Sequence, residues 1–364
     1  MRPLAFTAPC VVLAITMWYV GAQSKPDSSS VTGNHASSPI SVILISVDGL
    51  RPDAITKLGA NTVPNFYRLR REGAFTDNAR SAKDYTITLP NHTGMITGRL
   101  VTGYDGHNWT TNRDTEFPPD VTLHKQKGSY LDSVFAGAHD HGFRTALFAS
   151  KSKFSLFDVS YNSANGAEDM IAPDNGRDKI DVFEFKNRSE NVIDKLERAM
   201  KKDVFDFLML HIRNPDTAGH VFKWNTEIPS PYMASVRKAD ELLGDVFEQI
   251  EDNSTWKGRT YLVVTTDHGG ATGEKQHKAN QNPENYTIPF FVWGPGIPAG
   301  ADLYALNPET RQDPGSQNPA LDEGVQPIRN AGAGNLCLDL LGVPAISGST
   351  VNAMQDLKVK ALTQ

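Results

Sequence analysis

The chain has 364 residues, 39% of them hydrophobic, enough for one large domain with a sizeable core. Its formal net charge is −6, with 36 Lys and Arg against 42 Asp and Glu, which argues against a nucleic-acid scaffold and gives no reason for an anionic membrane surface as partner.

In chain order, Met1 to Ala22 carries a basic Arg2, an apolar stretch from Val11 to Val20, and the small-residue site Val20-Gly21-Ala22. This reads as a secretory signal peptide cleaved after Ala22, its apolar core short for a membrane span and an uncleaved anchor the alternative, and predicts a secreted or periplasmic protein. Its removal leaves Cys337 without a partner for an intramolecular disulfide, which in an exported protein fits a bacterial periplasm. Residues 23–38 are polar and read as a flexible linker. A folded domain over 39–348 and a C-terminal tail over 349–364 follow.

Ser41 to Val47 is a continuous apolar, β-branched run of strand length that stops at Asp48-Gly49. Phe205 to His211 and Tyr261 to Thr266 are similar; Asp216 and His220 lie shortly past the first, Asp267-His268 directly past the second. Asp216 and His220 are four residues apart and share a face if that stretch is helical. Ligands bind outside the carboxyl ends of strands in open parallel sheets, so these side chains are expected in one crevice. Aspartate and histidine together suit Zn²⁺ or a similar divalent ion. Helices are expected near Val63 to Glu72, Leu89 to Thr97, Tyr130 to Gly142, Ser189 to Lys202, Tyr232 to Glu251 and Arg329 to Leu341, with further strands near Phe143 and Ile288. Their alternation predicts an α/β fold, a mostly parallel central sheet with helices on both faces in a single domain. Residues 299–326, rich in Pro, Gly, Asn and Asp, read as a long surface excursion.

Taken together, Val47-Asp48-Gly49-Leu50-Arg51-Pro52-Asp53, Thr88-Leu89-Pro90-Asn91-His92, Pro215-Asp216-Thr217-Ala218-Gly219-His220 and Asp267-His268-Gly269-Gly270 resemble the alkaline phosphatase superfamily, and within it the nucleotide pyrophosphatase/phosphodiesterase family. Leu89 stands where that family commonly has phenylalanine. The resemblance implies an alkaline-phosphatase-like fold and two divalent ions, zinc in family terms: one held by Asp216, His220 and His277, the other by Asp48, Asp267, His268 and the Thr88 oxygen. It implies Thr88 as the nucleophile that forms a phosphothreonine, and an asparagine donor to the phosphate. Counting from His107 selects Asn112, with Asn108 as the alternative, because Asn108 replaces the glycine of the family pattern. The implied activity is hydrolysis of phosphodiester or phosphoanhydride bonds in a small molecule such as a nucleotide. The alternative is a phosphomonoesterase, another phospho- or phosphono-ester hydrolase, or a transferase on the same site.

Several tempting residues have plainer readings. His139-Asp140-His141 and His211 are expected to be structural, Asn91-His92 to hold the helix start, and Trp109 to pack. Lys151 and Lys153 are expected in a solvated loop, and Arg51 and Arg99 are candidate phosphate clamps by sequence proximity alone.

Overall fold

Apolar runs without polar alternation must be covered on both faces, and the strands they form set this architecture. A computed structural model describes residues 40–169, 176–320 and 323–360, so the expected signal peptide and the whole of the expected linker lie outside the described residues. The strands β1 (Ser41–Val47), β2 (Ala74–Arg80), β3 (Thr145–Ala149), β4 (Val182–Phe185), β5 (Phe207–Ile212), β6 (Thr260–Thr265), β7 (Thr287–Trp293) and β8 (Ala301–Asp302) form one sheet in the order β4-β3-β5-β1-β6-β7-β2-β8. β1 pairs in parallel with β5 and β6, β3 with β4 and β5, and β2 with β8, whereas β7 is antiparallel to both neighbours. The sheet is therefore mostly parallel, as expected.

Side chains leave β1 on alternate faces. Val42 and Leu44 enter one core, Ile43, Ile45 and Val47 the other, and all are fully buried. The helices Pro64–Glu72, Ser189–Met200 and Pro231–Asp252 supply the second core through Phe66, Leu196 and Leu243, among others. The helices Val134–His139, Ser155–Tyr161 and Ala333–Leu341 supply the first.

Three expectations change. The helix expected from Tyr130 begins at Val134, because Ser133 caps it by accepting from the Ala136 amide. β2 and β4 lack a clear apolar pattern; β2 carries Asp77-Asn78 at a register shift between Thr76 and Ala79, and every residue of β4 is only half-buried. Residues 349–360 are not a tail apart from the body, since Val351, Leu357 and Val359 are buried within the same compact unit.

What positions the site is the adjacency of β3, β5, β1 and β6. Val47 lies opposite Ile212 and Ser46 opposite Thr265, so three strands end nearly level. The Asp48 amide donates to the Ile212 carbonyl and the Asp216 amide to the Asp48 carbonyl, both at 2.9 Å. Segments distant in sequence thus open onto one edge of the sheet.

Candidate active site

Three histidines present the same atom inward. His220 and His268 donate from Nδ1 to the carbonyls of Lys275 and Gly269 at 2.8 Å, and His277 donates from Nδ1 to the Thr86 carbonyl. A carbonyl oxygen only accepts, so Nδ1 carries the proton and Nε2 is left for a ligand. His220 Nε2 lies 3.3 Å and His277 Nε2 3.6 Å from Asp216 Oδ1, and the two Nε2 atoms are 3.2 Å apart. Donors on a tetrahedral zinc with bonds of about 2.0–2.1 Å are roughly 3.3–3.4 Å from one another, so this triangle has the size of one face of such a site. In the second group, His268 Nε2 lies 3.1 Å from Asp267 Oδ2 and 3.6 Å from Asp48 Oδ1. His268 is also 3.9 Å from Asp216 Oδ1, so it stands at the junction of the two groups.

Asp48 Oδ1, Asp216 Oδ1, Asp267 Oδ2 and His268 Nε2 are all buried without a hydrogen-bond partner. Leaving such atoms unsatisfied costs about 1–3 kcal/mol each, more for charged groups, and cations would complete them. The donor set therefore fits two divalent ions. Burial and the Asp48 charge would raise the Asp216 pKa, but Lys151, His220 and His268 outweigh them and hold it well below the usual carboxylate range. Burial likewise opposes ionisation of Asp48, and Lys151, His211 and His268 overcome it. His268 is buried too, yet Asp267, Asp48 and Asp216 push its pKa up to about 9. The field that favours a proton there also favours a dication in its place.

The ligand segments converge on Trp224, which is fully buried and follows the helix Asn214–Phe222. A Cβ on Gly219 would meet its indole at 2.5 Å and one on Gly270 at 2.0 Å, and Gly49 packs on the same ring. Each glycine belongs to a different ligand motif, so their role is close approach to one aromatic plate as well as turning the chain. The indole also lies edge-on to His220, His268 and His277. Trp224→Ala is predicted to destabilise the fold by about 3–5 kcal/mol and to lower bound metal, measured by denaturant unfolding and metal analysis. Unchanged metal content would show that the ligand loops hold without it.

Thr88 begins the helix Thr88–Thr97 and is 2% exposed. Its Oγ lies 3.3 Å from Lys151 Nζ, which also donates to Asp48 Oδ2 and Asp216 Oδ2, each at 2.6 Å. Lys151 is thus buried against both carboxylate groups, not solvated in a loop. Its loop follows β3, which pairs with β5 and so brings the lysine beside the Asp216 segment. Lys153 is also buried, bonding Asp114 and Asn112. Asn112 Oδ1 accepts from the Leu89 amide at 3.2 Å and from Lys153 Nζ at 3.1 Å, which places this residue at the start of the Thr88 helix. Asn108 instead occupies a left-handed turn, φ 60°, with its amide bonded to Val101.

The type I phosphodiesterase / nucleotide pyrophosphatase family profile matches residues 42–332, a span that contains all of these groups. The chain belongs to this family. Among curated proteins, the catalytic subunit of GPI ethanolamine phosphate transferase 2 from Homo sapiens is 21% identical over 305 residues, covering 77% of this chain and 28% of the transferase. A 2,3-bisphosphoglycerate-independent phosphoglycerate mutase from Mycoplasma capricolum is 29% identical over 172 residues, covering 46% of this chain and 28% of the mutase. The chain thus spans little more than a quarter of the length of these curated relatives. Murine ectonucleotide pyrophosphatase / phosphodiesterase 5 shares the fold at a TM-score of 0.58 and 13% identity, covering 88% of this chain and 100% of that one. The lipoteichoic acid synthase LtaP from Listeria monocytogenes does so at 0.57 and 15%, covering 88% and 76%. The fold is alkaline-phosphatase-like, and the chain falls in a superfamily of phosphoryl hydrolases and transferases that use divalent metals.

In this phosphodiesterase-family chain His92, His124 and His211 differ from the inward-facing three by having both ring nitrogens occupied. His92 lies 2.8 Å from both Ser46 Oγ and the Thr88 carbonyl, and His211 spans Ser150 Oγ and Asp48 Oδ2 at 2.9 Å each. Asn91 ties the helix start to Ala82 and Tyr85. His141 donates to the Gly137 carbonyl and His139 bonds Asp169. Trp109 is packed edge-on against Phe117. Arg51 is spent on Asp53, Glu284, Thr272 and the Gly270 carbonyl, bracing the Asp-His-Gly-Gly turn, while Arg99 bonds the Asp105 and Ser347 carbonyls. Neither arginine is available as the clamp that sequence proximity suggested. The two functional candidates that local sequence understated, Trp224 and Lys151, are marked by their contacts, although a tryptophan four residues after His220 was a possible signal.

Proposed function

We propose that this chain is a metal-dependent hydrolase of phosphodiester and phosphoanhydride bonds in small molecules such as nucleotides, working through a phosphothreonine on Thr88 at a two-zinc centre. The observation that carries this reading is that one buried ammonium, Lys151, touches Asp48, Asp216 and Thr88 together, so the nucleophile stands beside both donor groups. Asp216, His220 and His277 would hold one ion; Asp48, Asp267, His268 and the Thr88 oxygen would hold the other. When bound, the cations supply Lewis acidity to the attacking and leaving oxygens.

Thr88 Oγ forms the bond to phosphorus as the bond to the leaving oxygen breaks; its hydroxyl proton passes to solvent, and a solvent proton reaches the leaving group. Water then adds to phosphorus, the Oγ–P bond breaks, and one water proton returns to Oγ while the other oxygen–hydrogen pair stays on the product. The start of the Thr88 helix favours the phosphate charge. Asn112, whose Oδ1 is engaged by Leu89 and Lys153, would serve through its Nδ2 as the neutral donor to an equatorial oxygen. His220, 36% exposed at the side chain, marks the edge by which water enters. A transferase is the second reading, favoured by the ethanolamine phosphate transferase among the relatives. Export by the expected signal peptide would make the enzyme secreted or periplasmic.

The test is turnover of a nucleotide p-nitrophenyl diester by the zinc-loaded protein, with loss on chelation and recovery on adding zinc. No turnover with two zinc ions bound would sink the hydrolase reading.

A further inference from the structure

A charge is costly to bury without a counter-charge, because the protein around it solvates it less than water does. Arg80 and Arg329 are 1% and 9% exposed, and a parallel backbone bridge sets them side by side. Arg80 donates to the carbonyls of Gln317, Asn78, Ala79 and Gly315 and to Asn78 Oδ1, at 2.6–3.1 Å. Arg329 donates from Nε to Gln326 Oε1, from Nη1 to Asn318 Oδ1, and from Nη2 to Gln326 Oε1 and the Pro319 carbonyl. Every one of these acceptors is neutral. Among the described residues no carboxylate forms an ion pair with either arginine, and Asp313 acts on Arg80 only at longer range. Burial and the Arg80 charge push the Arg329 pKa down to about 10, which leaves it charged at neutral pH. A guanidinium has five N–H donors, so these four contacts leave one Nη1 N–H of Arg329 to spare.

Arg329 also lines a cavity of about 20 Å³. The cavity wall holds two guanidinium groups, of Arg99 and Arg329, and no carboxylate. Two donors among its lining residues are buried without a partner: Ser81 Oγ, in a residue 1% exposed, and Arg99 Nε. A space of this size admits one water-sized occupant and excludes a tetrahedral oxyanion. Hydroxyl and guanidinium donors beside uncompensated positive charge favour an occupant that only accepts and carries one negative charge, which describes a halide. A wider cavity of about 390 Å³ shares Ala82, Leu100, Val101 and Arg329 with the small one and so adjoins it. The acids of the wider space are engaged, Asp84 by Asn280 and Glu323 by the Ala320 amide.

The position bears on the segment that leads to Thr88. β2 runs the same way as β1, so Arg80 at its end stands on the edge onto which the ligand segments open. Ser81 follows directly. Asn91, on the same cavity wall, accepts from the Ala82 amide at 2.9 Å and from Asn330 Nδ2 at 3.3 Å. We propose that this cavity is a chloride site, its anion held by Ser81, Arg99 and Arg329, supplying the counter-charge for the arginines and fastening the approach to Thr88 onto the chain around Asn330. The inference is independent of the reaction assigned to Thr88.

The experiment follows urea unfolding of the zinc-loaded full chain in sodium chloride and in sodium gluconate, both at about 150 mM so that general screening is held constant. Chloride should lower the apparent unfolding constant of wild type at least about tenfold relative to gluconate. Ser81→Ala should weaken chloride binding at least about threefold. Arg329→Gln, which keeps an amide donor and removes the charge, should abolish the chloride dependence. Crystals of wild type grown in chloride and measured at long wavelength should show an anomalous peak within hydrogen-bonding reach of Ser81 Oγ and Arg329. Equal stability of wild type in the two salts overturns the proposal, and so does water alone in the cavity, whether or not Arg329→Gln folds. A chloride effect of undiminished size in both variants overturns it as well, because both keep the zinc ligands and the anion would then act at the metals or elsewhere.

Discussion

Thr88→Ala is expected to lower hydrolysis of a p-nitrophenyl phosphodiester by about three orders of magnitude or more, while bound zinc per chain stays largely intact. The activity loss follows from removing the one hydroxyl proposed to bond phosphorus. Metal retention follows because the nitrogen and carboxylate donors of Asp48, Asp216, His220, Asp267, His268 and His277 are untouched. Alanine is a good helix former at the first turn of Thr88–Thr97, so folding should be little affected. Thr88→Ser should retain a measurable fraction of turnover. Rapid quenching of wild type with a labelled substrate should leave label on the protein, and the alanine variant should leave none. Wild-type rates in Thr88→Ala would remove the covalent route altogether.

Asp48→Ala is expected to be more damaging to the whole molecule. Asp48 is fully buried and accepts from Lys151 and His211 through Oδ2 while presenting Oδ1 to the second donor group. Its loss should remove one of two bound metals and lower kcat/KM by roughly three orders of magnitude. Breaking a buried ion pair by deleting one partner typically costs about 3–5 kcal/mol, so cation-free protein should unfold at lower denaturant. Asp48 has its pKa held below the ordinary value when folded, so its contribution to stability is present above the unfolded pKa and is lost as pH falls through the folded one. As pH falls below about 4, toward the lower folded pKa, the cation-free variant and wild type should therefore progressively converge in stability. Metal analysis at about pH 7 and urea melts from about pH 5 down to about pH 2, the side of the unfolded carboxylate value on which the difference is lost, check both effects. A variant that keeps both metals would show that Asp48 is not a ligand.

Much of this candidate centre was legible because each of the segments proposed to supply a ligand is local. A buried strand followed by a sharp turn requires an apolar run and then glycine, and the aspartate between them is visible without knowing what the strand pairs with. Asp48 after β1 and Asp267-His268 after β6 are of this kind, as is the Asp216 and His220 spacing. The long amphipathic helix Pro231–Asp252 was legible for the same reason, since its buried residues recur with the helical period. β2 and β4 were not, because their membership of the sheet depends on neighbours more than on their own composition. β2, with its polar Asp77-Asn78, is held between β7 and β8.

Sequence by itself determined the residue types available for metal and phosphoryl chemistry, the alternation that gives a mostly parallel sheet, and the family to which the chain belongs. Tertiary structure decided which of those residues meet. Ser150-Lys151-Ser152-Lys153 has the composition of a solvated turn, and nothing local distinguishes it from one. Pairing of β3 with β5, and of β5 with β1, carries Lys151 to two aspartates 103 and 65 residues away in sequence. Trp224 likewise becomes the common plate under three glycines only when three separate loops close on it. Side-chain chemistry is written residue by residue, but the electrostatic field and packing at a site are sums over neighbours that only the folded chain assembles.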